Sequence, residues 1–570
     1  MIKRIKIGIG SCGLAAGAAE VFDFFKENVR DIDIVGVGCI GHCYAEPIVE
    51  VETDNGSIYY HSAKPNQAYL DKVLNMEDDF RLSFRPERSD RELPKVTKLA
   101  GKIDPISIDE YIQHGGYEAF QKALKMKPAD VVEEVKISGL RGRGGGGFPT
   151  GLKWSYLLAQ QSGEKVLICN ADEGDPGAFM DRSLMESVPH QVLEGMLIAV
   201  RATGATQIFI YCRAEYPLAI KHLKIAINQV LDKKLNRING QEIDIHIKEG
   251  AGAFVCGEET AMIHSLEGNR GTPRFRPPYP TDSGFKGYPT LINNVETYAN
   301  IPIIINEGGE EFASLGTENS KGTKLFALAG DLKYPGLVEV PMGITLSEVV
   351  YEIGGAEKGS VKAVQIGGPS GGCIPADQFD VKIDYDSLES LGAIMGSGGL
   401  IFIGNNRCMV ETARYFLDFT ARESCGKCTF CRVGTKRMLE YLENITHGKG
   451  QPGDIDFLED LGNKIIKGSL CGLGQTAPNP VLSTIRYYKN EYQKHVVEKQ
   501  CEARVCNALV DLYLDQEKCI ECGLCIKNCP VNAISDDFVI DNEICTRCNS
   551  CIEVCPTDAI GRTARGDASA

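Results

Sequence analysis

The sequence predicts a multidomain protein of mixed α/β and α+β class that ends in a small duplicated cysteine module. Three observations carry this. The chain has 570 residues, of which 43% are hydrophobic, which is material for several separate cores. From about 106 to 310, helical patterns alternate with short apolar runs such as Val166 to Cys169 and Gln207 to Tyr211, the pattern of a layered parallel sheet. Between Cys519 and Cys555 the spacing Cys-x2-Cys-x2-Cys-x3-Cys-Pro occurs twice.

Taken in order, residues 1–85 read as a small α/β unit: strand 3–9, helix 15–27, strand 32–37, a Cys-x3-Cys pair, and a hairpin at Asn55-Gly56. Lys3, Arg4 and Lys6 ahead of a small-residue stretch imitate an export signal. The alternation of Ile5, Ile7 and Ile9 and the interrupting glycines instead predict a strand. A polar, proline-containing stretch, 86–105, is expected to be a linker. The largest core is expected over 106–315. Residues 322–403 are strand- and glycine-rich and predict a β-grasp-like domain, 405–498 a helical domain with a Gly and Pro break near 448–453, and 513–562 the duplicated module. The tail from Thr563 to Ala570 is expected to fray.

Formal charge is −16, and no basic stripe is present to neutralise phosphates, so nucleic acid is not an expected partner. No apolar run reaches the length of a membrane span. Twenty-two cysteines in a chain this long, several at cluster spacing, point to a reducing, cytoplasmic setting.

In the doubled run, each half gives three thiolates to one cube and its fourth cysteine to the other. The expected 4Fe-4S ligand sets are therefore Cys519, Cys522, Cys525 and Cys555, and Cys545, Cys548, Cys551 and Cys529. Such a module carries single electrons.

The middle of the chain holds Gly139-Leu-Arg-Gly-Arg-Gly-Gly-Gly-Gly-Phe-Pro-Thr-Gly-Leu-Lys-Trp154. Free amides in such a loop form an anion-binding nest, and a following helix N-terminus adds positive potential. Gly142-x-Gly144-x-x-Gly147 also matches a dinucleotide fingerprint, a match that any glycine-rich surface loop can produce. Three polar turns follow: Asn170-Ala-Asp172-Glu173-Gly-Asp175 after a predicted strand, Gly257-Glu258-Glu259-Thr260, and Asn293-Asn294-Val-Glu296-Thr297. Each is either a site for ribityl or ribose hydroxyls or a solvated cap. Trp154 is expected in the core, and Cys169, Cys212, Cys256 and Cys373 as buried small hydrophobes.

These segments, with Glu423-Ser-Cys425-Gly-Lys-Cys428-Thr-Phe-Cys431-Arg432 and Leu470-Cys471-Gly-Leu-Gly474, resemble in order the NADH-oxidising flavin subunit of respiratory complex I and its soluble relatives, over about 110–490. The resemblance implies a Rossmann-like fold holding FMN at Gly142, Gly144, Lys153, Asn170, Asp172, Glu173, Gly257, Glu258, Asn293 and Asn294. It implies NAD(H) contacts at Phe148, Lys153, Glu259 and Tyr279, with Asp175 and Arg276 beside them. Lys153, Glu259 and Asp175 are the residues expected at the reaction centre, and Arg276 is a cation that a 2′-phosphate could use. Cys425, Cys428, Cys431 and Cys471 would ligate a third 4Fe-4S cluster; spacing alone also allows zinc.

The additions at both ends resemble the β subunit of electron-bifurcating hydrogenases, formate dehydrogenases and transhydrogenases. That branch implies a thioredoxin-like front domain, ferredoxin as a partner, a small 2Fe-2S thioredoxin-like subunit, and a hydrogenase, formate dehydrogenase or NADP-linked subunit. The front domain of such chains uses four cysteines for a 2Fe-2S cluster. Here only Cys12, Cys39 and Cys43 are present and Ile7 stands at the first position; three thiolates seldom retain such a cluster, so the domain is expected either to use a substitute such as Ser11 or to hold no cluster and serve as a docking surface. His495, Cys501 and Cys506 suit zinc, with Cys408 as the candidate fourth ligand; the alternative is a set of unliganded thiols. The alternative to an enzyme subunit is a non-catalytic iron–sulfur wiring scaffold.

Overall fold

The computed structural model describes residues 1–83, 90–238 and 240–566. The start of the expected linker (86–89) and the end of the expected frayed tail (567–570) lie outside the described residues. Two compact units are present, Met1–Phe402 and Ile403–Ala570.

In the first unit, strand Ile2–Gly8 pairs parallel with Asp33–Val37 and antiparallel with Val49–Thr53, which turns at Asn55 into Gly56–Tyr60. Ile5 and Ile7 alternate inward, and helix Ala18–Asn28 closes over them with Ala18, Val21 and Phe25, a helical stripe. The segment that imitates a signal sequence is thus the central strand of a small sheet.

The described part of the expected linker packs firmly instead of spanning open space. Val96 and Ile103 are buried, and the buried carboxylate of Glu339 accepts the amides of Lys95, Val96 and Thr97 at 2.9–3.0 Å. A polar stretch reads as a linker in sequence because the acceptor that satisfies its amides lies some 240 residues away.

Four parallel strands follow, in the order Thr290–Asn294, Val166–Ala171, Gln207–Arg213 and Asp244–Gly250. A parallel sheet needs cover on its faces. Helix Pro189–Thr203 supplies much of it, and every residue except Arg201 is buried. Inside that helix Glu194 accepts the Tyr111 hydroxyl at 2.5 Å and the amides of Tyr117 and Phe120 at 3.0 Å, tying in the preceding helices. Gly195 lets helix Val295–Glu307 cross in contact, since a Cβ there would stand 2.0 Å from the Tyr298 carbonyl oxygen.

Residues 322–403 form a five-stranded mixed sheet in the order Gly336–Pro341, Thr323–Gly330, Gly399–Gly404, Val361–Ile366 and Gly372–Pro375.

In the second unit, helices Met409–Arg422, Thr435–Thr446, Asp454–Gly468 and Asn479–Gln493 pack around Leu417, Met438, Leu442, Leu458 and Ile485. The Gly and Pro break separates the second helix from the third. The duplicated module pairs Val510–Leu514 with Ile560–Ala564, so Thr563 and Ala564, expected in a frayed tail, complete a strand. Its halves repeat in detail, with positive φ at Glu521 and Arg547, at Gly523 and Asn549, and at Asn532 and Asp558. No helix among the described residues is long and apolar enough to cross a membrane.

Candidate functional site

The glycine loop leads into helix Thr150–Ala159. It is closed by Gly142 N donating to Phe148 O and Thr150 N to Leu140 O, both 2.9 Å. Buried Arg143 braces it, its amide donating to Thr297 Oγ1 at 2.9 Å and its guanidinium to Lys321 O at 2.6 Å. A Cβ at Gly142 would meet no protein atom nearer than 3.6 Å, and one at Gly257 none nearer than 3.5 Å. At Gly144, by contrast, the Asn294 side chain already lies 2.9 Å from that point. The absent side chains at Gly142 and Gly257 leave a cradle bordered by the Phe148 backbone, Asp172 and, at Gly144, Asn294, a polar surround that suits a flavin phosphate.

The polar turns gather at the same place because parallel strands end in register. Asn294 pairs with Asn170, and Asn170 with Tyr211, at the carboxyl ends of the sheet, where α/β folds bind ligands. Asn170 Nδ2 donates to Gly257 O at 2.9 Å, and the Gly257 position abuts Asp172. Asn293 Oδ1 accepts the indole N–H of fully buried Trp154 at 3.0 Å. Lys153 Nζ donates to Ile292 O at 2.7 Å and pairs with Glu259, whose other oxygen lies 3.8 Å from Arg276. Gly142, Gly144, Lys153, Asn170, Asp172, Gly257, Glu259, Asn293 and Asn294 are thus brought together from four separate segments.

Other expected site residues spend their polar groups on the frame. Glu258 caps helix Glu259–Leu266 through the amides of Thr260 and Ala261. Glu173 accepts the amides of Asp181 and Arg182 at 3.0 and 3.1 Å. Asp175 accepts the Ser397 hydroxyl at 2.5 Å. Phe148 and Tyr279 turn their rings to solvent, 47% and 53% exposed.

Sequence reasoning missed the support beneath Asn294. Its amide donates to Asp181 Oδ2 at 2.5 Å, and Asp181 Oδ1 accepts the Glu296 amide at 3.3 Å. Burial pushes the Asp181 carboxyl well above the usual range, with Glu173 and Glu296 adding like charge. Fully buried Lys324 donates to Glu296 Oε2 at 2.5 Å and to Ser397 O at 2.5 Å. No motif marks Asp181 or Lys324, which meet only through the fold. Lys324→Met should leave Glu296 buried without its cation and cost about 3–5 kcal/mol, read as a lowered denaturation midpoint with unchanged slope.

In the second unit, Cys425, Cys428 and Cys431 lie within electrostatic reach of one another. Leu470 N donates to Cys428 Sγ at 3.4 Å, and Gly474 lets its helix close on Cys431, which brings the Cys471 segment to the triplet. In the duplicated module a small pocket is lined by Cys545, Cys548 and Cys551 together with Cys529 of the other run. The amides of Ala533 and Ala559 donate to the fourth thiols of the two runs, Cys529 and Cys555, at 3.1 and 3.2 Å. The donor sets and the apolar lining by Leu512, Ile534 and Ile540 suit iron–sulfur cubes.

Cys408, His495, Cys501 and Cys506 are all buried, with ligand atoms within 4.8 Å of one another. His495 Nε2 faces Cys408 Sγ at 3.3 Å and Cys506 Sγ at 3.4 Å, and its Nδ1 contacts Glu491 O at 2.8 Å, the bond that fixes a metal-facing tautomer. Cys408 and Cys506 pull the Cys501 thiol far below its usual range. Burial opposes charge on His495, but hydrogen bonds with Cys408 and Cys501 outweigh it and hold the ring at about 10.

In the front domain Cys43 lies within electrostatic reach of both Cys12 and Cys39, and Cys39 Cβ stands 3.3 Å from where a Cβ of Gly10, two residues before Cys12, would lie. Ser11 donates through Oγ to Glu186 Oε1 at 2.5 Å.

Residues 135–303 match the family model of the Nuo51 FMN-binding domain, and 411–495 the NADH-ubiquinone oxidoreductase-F iron–sulfur binding region. Residues 325–373 match an SLBB domain, and 512–535 and 538–561 a 4Fe-4S binding domain. Among curated relatives, the NADP-reducing hydrogenase subunit HndC of Solidesulfovibrio fructosivorans is 53% identical over 78% of this chain and 92% of its own. The F 2 subunit of NADH-quinone oxidoreductase in Rhizobium meliloti is 43% identical over 69% and 95%. A crystal structure of NAD+-reducing [NiFe]-hydrogenase in the H2-reduced state aligns with TM-score 0.65 and 30% identity, covering 87% of this chain and 85% of that one. With its FMN-binding domain, its 4Fe-4S binding regions and these relatives, the chain belongs to the family of 51 kDa-type, NADH dehydrogenase-type flavin oxidoreductase subunits.

Proposed function

We propose that this chain exchanges hydride between NAD(H) and FMN and passes single electrons through three 4Fe-4S clusters to other subunits of a cytoplasmic redox complex. The observation that carries this reading is the convergence of the glycine cradle with Lys153, Glu259 and the Asn170, Asn293 and Asn294 turns at the carboxyl ends of one parallel sheet. FMN, when bound, supplies the conversion between a two-electron hydride and one-electron clusters.

The chain's own residues do the positioning. Gly142 and Gly257 admit the flavin closely, Asn170 and Asn293 fix the backbone around it, and Lys153 sets a cation at its edge. Phe148 and Tyr279 offer exposed aromatic faces on which a nicotinamide dinucleotide stacks. Arg276 is already drawn to Glu259, which favours NADH over a 2′-phosphorylated nucleotide. Glu173 and Glu258 act as positioning residues by capping the helices that border the site.

The thiolate sets Cys425, Cys428, Cys431 and Cys471, then Cys519, Cys522, Cys525 and Cys555, and Cys545, Cys548, Cys551 and Cys529, hold the three cubes. The front unit is thioredoxin-like and the mixed sheet β-grasp-like. Likeness to the hydrogenase subunit HndC supports a hydrogenase subunit as the electron partner; bifurcation with ferredoxin is the activity that the resemblance of the two end domains supports. Purified chain carrying FMN should reduce a viologen dye with NADH. A chain without FMN and without that activity would be a wiring scaffold.

Zinc fits the Cys408, His495, Cys501 and Cys506 set, whose three thiols and one imidazole are a closed structural donor set. His495→Ala should lose the one zinc per chain and lower the thermal midpoint of the full chain by several degrees, read by metal analysis and calorimetry.

A further inference from the structure

Cys12, Cys39 and Cys43 are one donor short of a four-ligand set. Ile7 does not supply a substitute: with Ile5, Val21, Phe25 and Val49 it is fully buried in the front core. Ser11 is committed to Glu186 through both its hydroxyl and its amide, at 2.5 and 2.9 Å.

A carboxylate does reach the place. Glu46 Oε2 lies 3.3 Å from where a Cβ of Gly8 would stand and 3.1 Å from that of Gly13. Gly8 follows Ile7 at the end of the first strand, and Gly13 follows Cys12 in helix Ser11–Ala15. The carboxylate thus occupies room left by two absent side chains, between the strand end and the thiol-bearing helix, within electrostatic reach of Cys12. Oε2 is steadied by the Ile48 amide at 2.9 Å, which leaves Oε1 for a ligand.

The spread of the donors selects the ligand class. Among the described residues, only the Cys408 set brings three or more donor atoms within 4.8 Å of one another. The front-domain thiols, with Cys39 packed against Gly10 just ahead of Cys12, do not form such a set. One ion needs four donors close together, whereas a two-iron cluster takes two at each end.

We infer that Glu46 replaces the missing thiolate and that Cys12, Cys39, Cys43 and Glu46 together bind a 2Fe-2S cluster. Three thiolates and a carboxylate carry the same charge as four thiolates. The site is fastened to helix Met180–Ser187: Cys39 N donates to Ser187 Oγ at 3.1 Å, and Arg182 Nη2 approaches Cys12 Sγ at 3.9 Å. The same helix carries Asp181, which holds Asn294 at the cradle. The use of this cluster as an additional one-electron store rests on the flavin-subunit reading; its ligand set does not.

The test uses full-length chain isolated anaerobically and reconstituted with iron and sulfide. Wild type should hold about two irons beyond the about twelve of three cubes, with a separate paramagnetic signal on reduction. Glu46→Ala should lose those two irons and that signal while keeping the cubes, FMN and NADH-driven dye reduction. Glu46→Cys should keep the irons with an altered signal, and Ser11→Ala should leave both unchanged. Retention of the signal in Glu46→Ala, or its loss in Ser11→Ala, overturns the assignment. If Glu46→Ala disturbs the domain, Glu46→Cys decides, and absence of the two irons there also overturns it. A wild type with twelve irons and dye reduction but no two-iron signal refutes the inference and leaves the proposed function standing.

Discussion

Gly142→Ala is expected to strip the protein of flavin while leaving its fold intact. At most glycines of the frame an added methyl collides with the protein itself: at Gly195 it would meet Tyr298 O at 2.0 Å, and at Gly371 Ile366 O at 1.8 Å. At Gly142 the nearest atom is 3.6 Å away, and at Gly257 it is 3.5 Å away. Neither residue has positive φ, so alanine is conformationally acceptable at both. The methyl is therefore tolerated by the protein itself, and the loss it is expected to cause is at the ligand. Flavin content and NADH-dependent dye reduction should fall about tenfold or more in each variant, a loss of about 1.4 kcal/mol or more in binding, with an unchanged thermal midpoint. Gly195→Ala should do the reverse, lowering stability first. Flavin retained at the wild-type level in Gly142→Ala and Gly257→Ala would remove the cradle from the proposed site.

Cys529→Ala should extinguish the cluster of the other cysteine run rather than that of its own. Cys529 lines the cavity with Cys545, Cys548 and Cys551, so its loss opens one corner of that cube. Cys529→Ala and Cys545→Ala should then remove the same spectroscopic signal, and Cys555→Ala and Cys519→Ala the other. Each variant should lose about four of about twelve cubane irons. Dye reduction at the flavin should survive, while electron delivery to a protein acceptor should drop severalfold. Loss of one signal by Cys529→Ala together with Cys519→Ala would show that each run ligates its own cube.

Much of the fold was legible because it depends on local repetition. The alternation of Ile5 and Ile7 and the turn at Asn55 belong to short segments whose periodicity survives folding unchanged. Other readings failed for one shared reason. Residues 90–105 look unattached in sequence, yet Glu339 binds three of their amides. Thr563 and Ala564 look like a tail, yet they pair with Val510 and Asp511. In both cases the partner that satisfies the backbone lies far along the chain.

The site divides in the same way. Glycines, thiols and amides announce their chemistry by type and spacing, and Cys408 could be named as a companion of His495 before any coordinates. Asp181, Lys324, Arg143 and Glu46 could not, because a lone charged residue carries no spacing signal and acquires its role only by being buried beside a particular neighbour.

The sequence by itself determined which ligands this protein can offer: a glycine-lined loop, eleven thiolates at cubane spacing with Cys471 apart from them, and a Cys/His set. Tertiary structure alone decided which of them share a site and what supports them, since parallel strands ending in register bring together turns that are more than a hundred residues apart. The physical reason is that ligand chemistry resides in single side chains, whereas burial, charge pairing and close approach are properties of the packed chain.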